Sequence, residues 1–182
     1  MEHLYYLVAQ LPAISVNDDS SKKLPLTVGY FKDLCSRFMS EKSAKLAEKL
    51  TLEPPVEPVS TGSVFLDEWY EKERCLRLAL AQIRALKMKK DIKDLPSASD
   101  GESIQAARTA TGMDSPLAAE QYLNQYRLGI LDRISPLDNF SVDAVYSYGL
   151  KLMLAERMKK FNKDEGLASY HKIYDEILGE KK

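Results

Sequence analysis

Between Val142 and Ala155 the chain is apolar with little relief: its only strongly polar residues are Asp143, Ser147 and Lys151, which recur every four residues. At helical spacing those three trace one narrow wet strip, and the remaining circumference predicts burial against protein. The segment Phe140 to Phe161 is the strongest helix in the sequence, with Ser141 placed to cap it.

A second stripe runs through Trp69, Leu76 and Ile83 at seven-residue spacing, with Leu66, Leu80 and Leu86 beside it. It predicts a long helix beginning at Ser63. Its acids Asp67, Glu68, Glu71 and Glu73 come early and Lys87, Lys89 and Lys90 close it, a polarity that suits the helix dipole. The repeat is too short for a coiled coil, so packing inside an intramolecular bundle is expected. Phe31, Leu34, Cys35 and Phe38 mark one face of a shorter helix, and Ser40 caps the next, EKSAKLAEKLTL, which Pro54, Pro55 and Pro58 end. Residues 54–63 then read as a linker.

Ser115 followed by Pro116 is a strong start signal for a helix that Pro136 stops. The stretch 162–166, NKDEG, reads as a link to a terminal helix with Leu167, Tyr170, Ile173, Tyr174 and Ile177 on one face. The polar segment 91–114 is a connection with a short helix around Ile104 to Ala110, and 17–23 is a loop. Residues 1–16, aromatic and β-branched but cut by Pro12, fit a short strand or a short helix. The expectation is an all-α, irregular bundle of six or seven helices in one or two sub-bundles, with a weak N-terminal strand as the one exception. It divides into an N-terminal helical segment, 1–58, and a main bundle, 59–182, interrupted at 91–114.

Charge narrows the function. Lys and Arg number 26 against 27 Asp and Glu, a net charge of −1, so no excess gathers phosphates and nucleic acid is not an expected partner. Two cysteines, Cys35 and Cys75, predict buried reduced thiols. The richest later apolar run, 76–86, is broken by Arg77 and Arg84, and the start MEHLYYLVAQLP has no basic region. A cytoplasmic protein that meets the membrane only through partners is expected.

Chemistry is sparse. The histidines are His3 and His171, without metal-ligand spacing, and Gly62, Gly101 and Gly112 form no phosphate loop. Asp67, Glu68, Glu71 and Glu73 are explained by the helix dipole rather than by acid–base catalysis, and a pocket uniting Asp67, Glu71 and His171 would be needed to revive an enzyme. No catalytic residue, cofactor, metal or small-molecule substrate is therefore expected. Arg74, Arg77 and Arg84, on adjoining faces of the long helix, read either as solvated surface or as a row that pairs with the carboxylates of a partner helix, and they are the candidates for recognition. Glu156 shares a face with Val145, Gly149 and Leu152; it is either exposed at the helix end or, if buried, calls for a partner such as Arg157 of a neighbouring copy or an arginine of another helix. Tyr122, Tyr126, Tyr146 and Tyr148 fit an interface or a core edge equally well.

The segment FSVDAVYSYGLKLMLAERMKKFNKDEG, with Tyr148, Glu156, Arg157, Lys159 and Gly166, resembles the recurring element of the C/d family of V-type/A-type ATPase central-stalk proteins. EKERCLRLALAQIRALK at 71–87 is a partial second echo, and YYLVAQLPAI through SPLAAEQYL to the end is similar to a group of short proteins associated with bacterial V-type ATPase operons. Members of the C/d family are longer, so the form implied is a truncated or divergent one. The resemblance implies an all-helical stalk or accessory subunit without catalytic residues of its own. It would couple or assemble the soluble and membrane parts for ion or proton transport, with other ATPase subunits as partners and a place peripheral to the inner membrane. A free cytosolic adaptor that binds a partner helix is the alternative.

Overall fold

Serine and aspartate caps punctuate the chain, and the helices start where they stand. The computed structural model describes residues 4–14, 24–90, 96, 98–159 and 163–179. Among them are eight helices and no strand: α1 (Tyr5–Gln10), α2 (Val28–Phe38), α3 (Glu41–Glu48), α4 (Val64–Lys87), α5 (Gly101–Gly112), α6 (Pro116–Ile134), α7 (Val142–Lys159) and α8 (Lys163–Leu178). Thr27, Ser40, Ser63, Asp100 and Ser115 each accept a backbone N–H from the first turn that follows, and Ser141 accepts that of Ala144.

Among the described residues the helices number eight instead of six or seven, and three further expectations need correction. The N-terminal segment is helical, α1, and not a strand: Leu4 N–H is held by the Phe140 carbonyl at 2.9 Å, and Leu7 is fully buried. The short helix near Ile104 extends over Gly101–Gly112 because Asp100 caps it. The linker at 162–166 is also shorter, since α8 begins at Lys163. The loop at 17–23 and His3 lie outside the described residues.

Two apolar clusters share α4 and α6. Phe65, Leu66, Trp69 and Tyr70 from the first half of α4 join Ile130 and Leu131 of α6, the inner faces of α1–α3, and Val145, Leu150 and Leu152 of α7. Leu76, Ala79 and Leu80 from the second half of α4 pack with Leu123 of α6 and Ala106, Ala107 and Ala110 of α5. The pairing of early α4 with late α6, and the reverse, makes the two helices antiparallel. Alanines on α5 permit the close approach to α4. The α4 stripe holds as far as Leu80, Ile83 is half-buried, and Leu86 is exposed.

No residue of α7 is exposed. The polar strip on this helix meets protein partners along its length, with Ser147 buried and Lys151 part-exposed. Asp143 accepts the Ser63 hydroxyl at 2.6 Å, Ser147 meets Ser135 at 2.5 Å and Lys151 pairs with Asp132 at 2.6 Å, so the strip is a seam against α4 and the end of α6. A four-residue polar period marks one helix face, and here side chains of neighbouring elements answer it. Tyrosine hydroxyls fasten the outer elements: Tyr148 donates to the Pro12 carbonyl and Tyr146 to that of Ser43. Tyr126 meets the Ser103 hydroxyl at 3.2 Å.

α8 stands apart from this scheme. Among the described residues none of α8 belongs to either cluster, and every residue from Gly166 to Gly179 is exposed.

Candidate functional site

Residues three and seven apart on a helix share a face, and α4 and α6 each turn one such face toward the C-terminal half of α7. Arg77, Leu80 and Arg84 of α4 and Glu120, Leu123 and Arg127 of α6 form two walls of a cavity of about 570 Å³. Met153, Glu156 and Arg157 of α7 make the third, and Val28, Leu52 and Glu53 close the side. The cavity lies at the boundary between the two apolar clusters, with Leu80 and Leu123 belonging to one and Val28, Leu52 and Met153 packed against the other.

An alternating ladder of charges runs through it. At its base Arg127 holds Glu73 bidentately, Nε to Oε2 at 2.9 Å and an Nη to Oε1 at 3.0 Å. Both are deeply buried, at 5% and 1% exposure. Arg77 donates a further bond to Glu73 at 2.8 Å, and Asn124 accepts from Arg127 at 3.3 Å. Glu73 thus accepts three charge-assisted bonds, which compensates for the removal of its carboxylate from water. Above them, Glu120 accepts from Arg157 and stands 3.9 Å from Arg127, while Glu53 stands 3.8 Å from Arg77. Helices α4, α6 and α7 are therefore locked by one network.

Four of the five residues expected to meet a partner converge here: Arg77, Arg84, Glu156 and Arg157 all line the cavity. Arg74 does not. It pairs with Glu71 at 2.5 Å and reaches the Pro55 carbonyl, with its buried Nε unpartnered among the described residues. Glu156 takes no arginine. Its carboxylate accepts the N–H of Val28 at 3.2 Å, in the first turn of α2, where the positive end of the helix dipole favours an anion. Arg157 finds Glu120 within its own chain. Arg84 is exposed and has no ionic or hydrogen-bonded partner among the described residues.

The base of the ladder is what sequence pattern alone misses. Position along the chain groups Glu73 with the dipole acids, but only Asp67 lies in the first turn of α4. Arg127 carries a readable signal: it sits among Leu123, Leu128, Ile130 and Leu131, a lone cation in an apolar stripe, which demands a buried carboxylate. Asp67, Glu71 and His171 are not among the cavity's lining residues. Asp67 is engaged locally: burial pushes its pKa up, but bonds from the Thr61 N–H and hydroxyl and the Ser60 hydroxyl outweigh that and hold it below the usual carboxylate range. His171 packs edge-on against Tyr170.

Residues 101–181, spanning α5 to α8, are similar to a family described as a protein of unknown function (DUF2764). No curated protein and no solved structure matches the chain. Among the described residues no group of His, Cys, Asp and Glu is placed to hold a metal ion, and no helix is long and apolar enough to cross a membrane.

Burial also raises the pKa of one thiol and of the Tyr70, Tyr126 and Tyr148 hydroxyls. Desolvation pushes the Cys35 thiol up to about 12 and the Tyr148 hydroxyl likewise to about 12, so both stay protonated near neutrality. Cys35 and Cys75 are buried and unbridged.

Proposed function

We propose that this chain is a non-catalytic accessory or stalk subunit of a bacterial V-type ATPase, joining soluble and membrane parts through protein contacts. The observation that carries a partner-binding reading is α8. Leu167, Tyr170, Tyr174 and Ile177 fall at alternating three- and four-residue steps, with Ile173 and Leu178 flanking, and their exposures lie between 48% and 77%. A helix seam of that kind, left open by its own chain, is the form a partner helix recognises. The choice of partner rests on the resemblance of 140–166 to the central-stalk family, whose glutamate, basic residues and glycine correspond to Glu156, Arg157, Lys159 and Gly166.

Native membranes from cells carrying a tagged chain provide the test. Rotor or ring subunits of the ATPase should be recovered with it, and the double substitution Leu167→Asp, Tyr174→Asp should abolish that recovery without altering the protein's own unfolding temperature. Recovery of no ATPase subunit overturns the assignment. Recovery of other proteins through α8 instead supports the free helical adaptor.

A further inference from the structure

The charge ladder is not equally satisfied along its length. At the base every ionic group is spent. Toward the mouth, Arg84 has no partner among the described residues, Arg77 uses its Nε on Glu73 while its other edge is 3.8 Å from Glu53, and Arg157 holds only Glu120. A guanidinium carries five N–H donors in a planar fork, and 3.8 Å is beyond hydrogen-bond reach, so N–H donors of Arg77 and Arg84 are left free at the mouth although its three arginines face three carboxylates. Two of the three carboxylates there are committed, Glu120 to Arg157 and Glu156 to the start of α2, while Glu53 is largely exposed and turns to solvent. Leu80 and Leu123 supply an apolar patch within the same walls.

We infer that this cavity binds an organic oxyanion, a carboxylate or phosphate on a small apolar body, with Arg84 as the first anchor and the outward edges of Arg77 and Arg157 as the second. Arg77 and Arg84 lie seven residues apart on α4, about 10 Å along the axis, so their flexible side chains bracket one ligand instead of gripping one oxygen. A volume of about 570 Å³ falls in the range of small-molecule sites and far exceeds that of a single ion. The site is separate from the α8 seam, so failure of either reading leaves the other standing.

Isothermal titration of the full chain at constant ionic strength, with inorganic phosphate, phenyl phosphate and citrate as probes, tests the inference. One saturable site is expected, with phenyl phosphate tighter than inorganic phosphate if the ligand head is a phosphate, or citrate tightest if it is a carboxylate. Arg84 is exposed, so Arg84→Gln should keep the unfolding temperature and weaken binding roughly tenfold, the effect of losing a charge-assisted contact. Arg133→Gln, which removes an exposed pair with Glu102, should leave binding intact. The inference fails if no probe saturates by about 10 mM, which would put any affinity below the millimolar range. It fails equally if Arg84→Gln binds as the parent does, or if Arg133→Gln loses as much affinity.

Discussion

A methyl group added at Gly149 would stand 2.6 Å from Phe31 Cε1 and 3.0 Å from Leu50 Cδ1. Phe31 has nowhere to go, being fully buried with its ring 5.7 Å from that of Tyr148. Alanine is a better helix former than glycine by about 1 kcal/mol, whereas overpacking a core costs about 1–3 kcal/mol. Gly149→Ala should therefore lower stability in urea unfolding, against the direction that propensity alone predicts. The Arg127–Glu73 pair supplies a second test on single side chains. Arg127→Met leaves a carboxylate at 1% exposure with Arg77 as its remaining arginine, and a loss of about 3 kcal/mol is expected from breaking a buried pair on one side. Adding Glu73→Gln should recover part of it, measured by the same unfolding curves, because the uncompensated charge is then gone.

The ends of α4 show how an element is stopped and started. At its C-terminus Lys90 N–H bonds to the Ala85 carbonyl at 2.9 Å and Lys89 N–H to that of Leu86 at 3.0 Å, the paired bonds of a Schellman motif. Lys89 takes the left-handed position, with φ of 54°, where glycine is the usual occupant. Lys89→Gly should raise stability by about 1 kcal/mol, seen as a higher urea midpoint with unchanged slope. At the N-terminus the loop before Ser63 is held by Asp67, whose depressed pKa couples it to acid. A carboxyl with a folded pKa below its unfolded value contributes stability above the unfolded value, near 4, and loses it as pH falls through the folded one. Asp67→Asn should thus be less stable at pH 7 and show a shallower decline of unfolding temperature between pH about 5 and 2. Asp100, which burial pushes up but Ser103 and Lys72 together hold low, contributes in the same window and remains in that variant.

For the whole molecule, the arrangement is a helical body built on antiparallel α4 and α6, with α8 outside both apolar clusters. Deleting 163–182 should leave the calorimetric unfolding temperature of the body nearly unchanged, since burial in a shared core is what makes an element part of the cooperative unit. A large fall would place α8 in the core after all.

Most of the helix inventory is legible from local chemistry. Hydroxyl caps, proline stops and apolar periodicity are written within a few residues of the places they act, so α2, α3, α4, α6 and α7 follow from sequence pattern. The N-terminal segment is ambiguous because six residues are too few for either period to declare itself, and the Phe140 carbonyl, far along the chain, resolves it. The candidate site is half legible. Arg77, Arg84, Glu156 and Arg157 stand out as charges beside apolar runs, but their convergence depends on how α7 packs against α4 and α6. What the chain determined alone is where its helices begin and end, because capping and periodicity are local energies. Which faces meet, that the α7 polar strip finds protein partners and that Glu73 lies under Arg127 were decided only in the tertiary structure, since burial and ion pairing depend on neighbours distant in sequence.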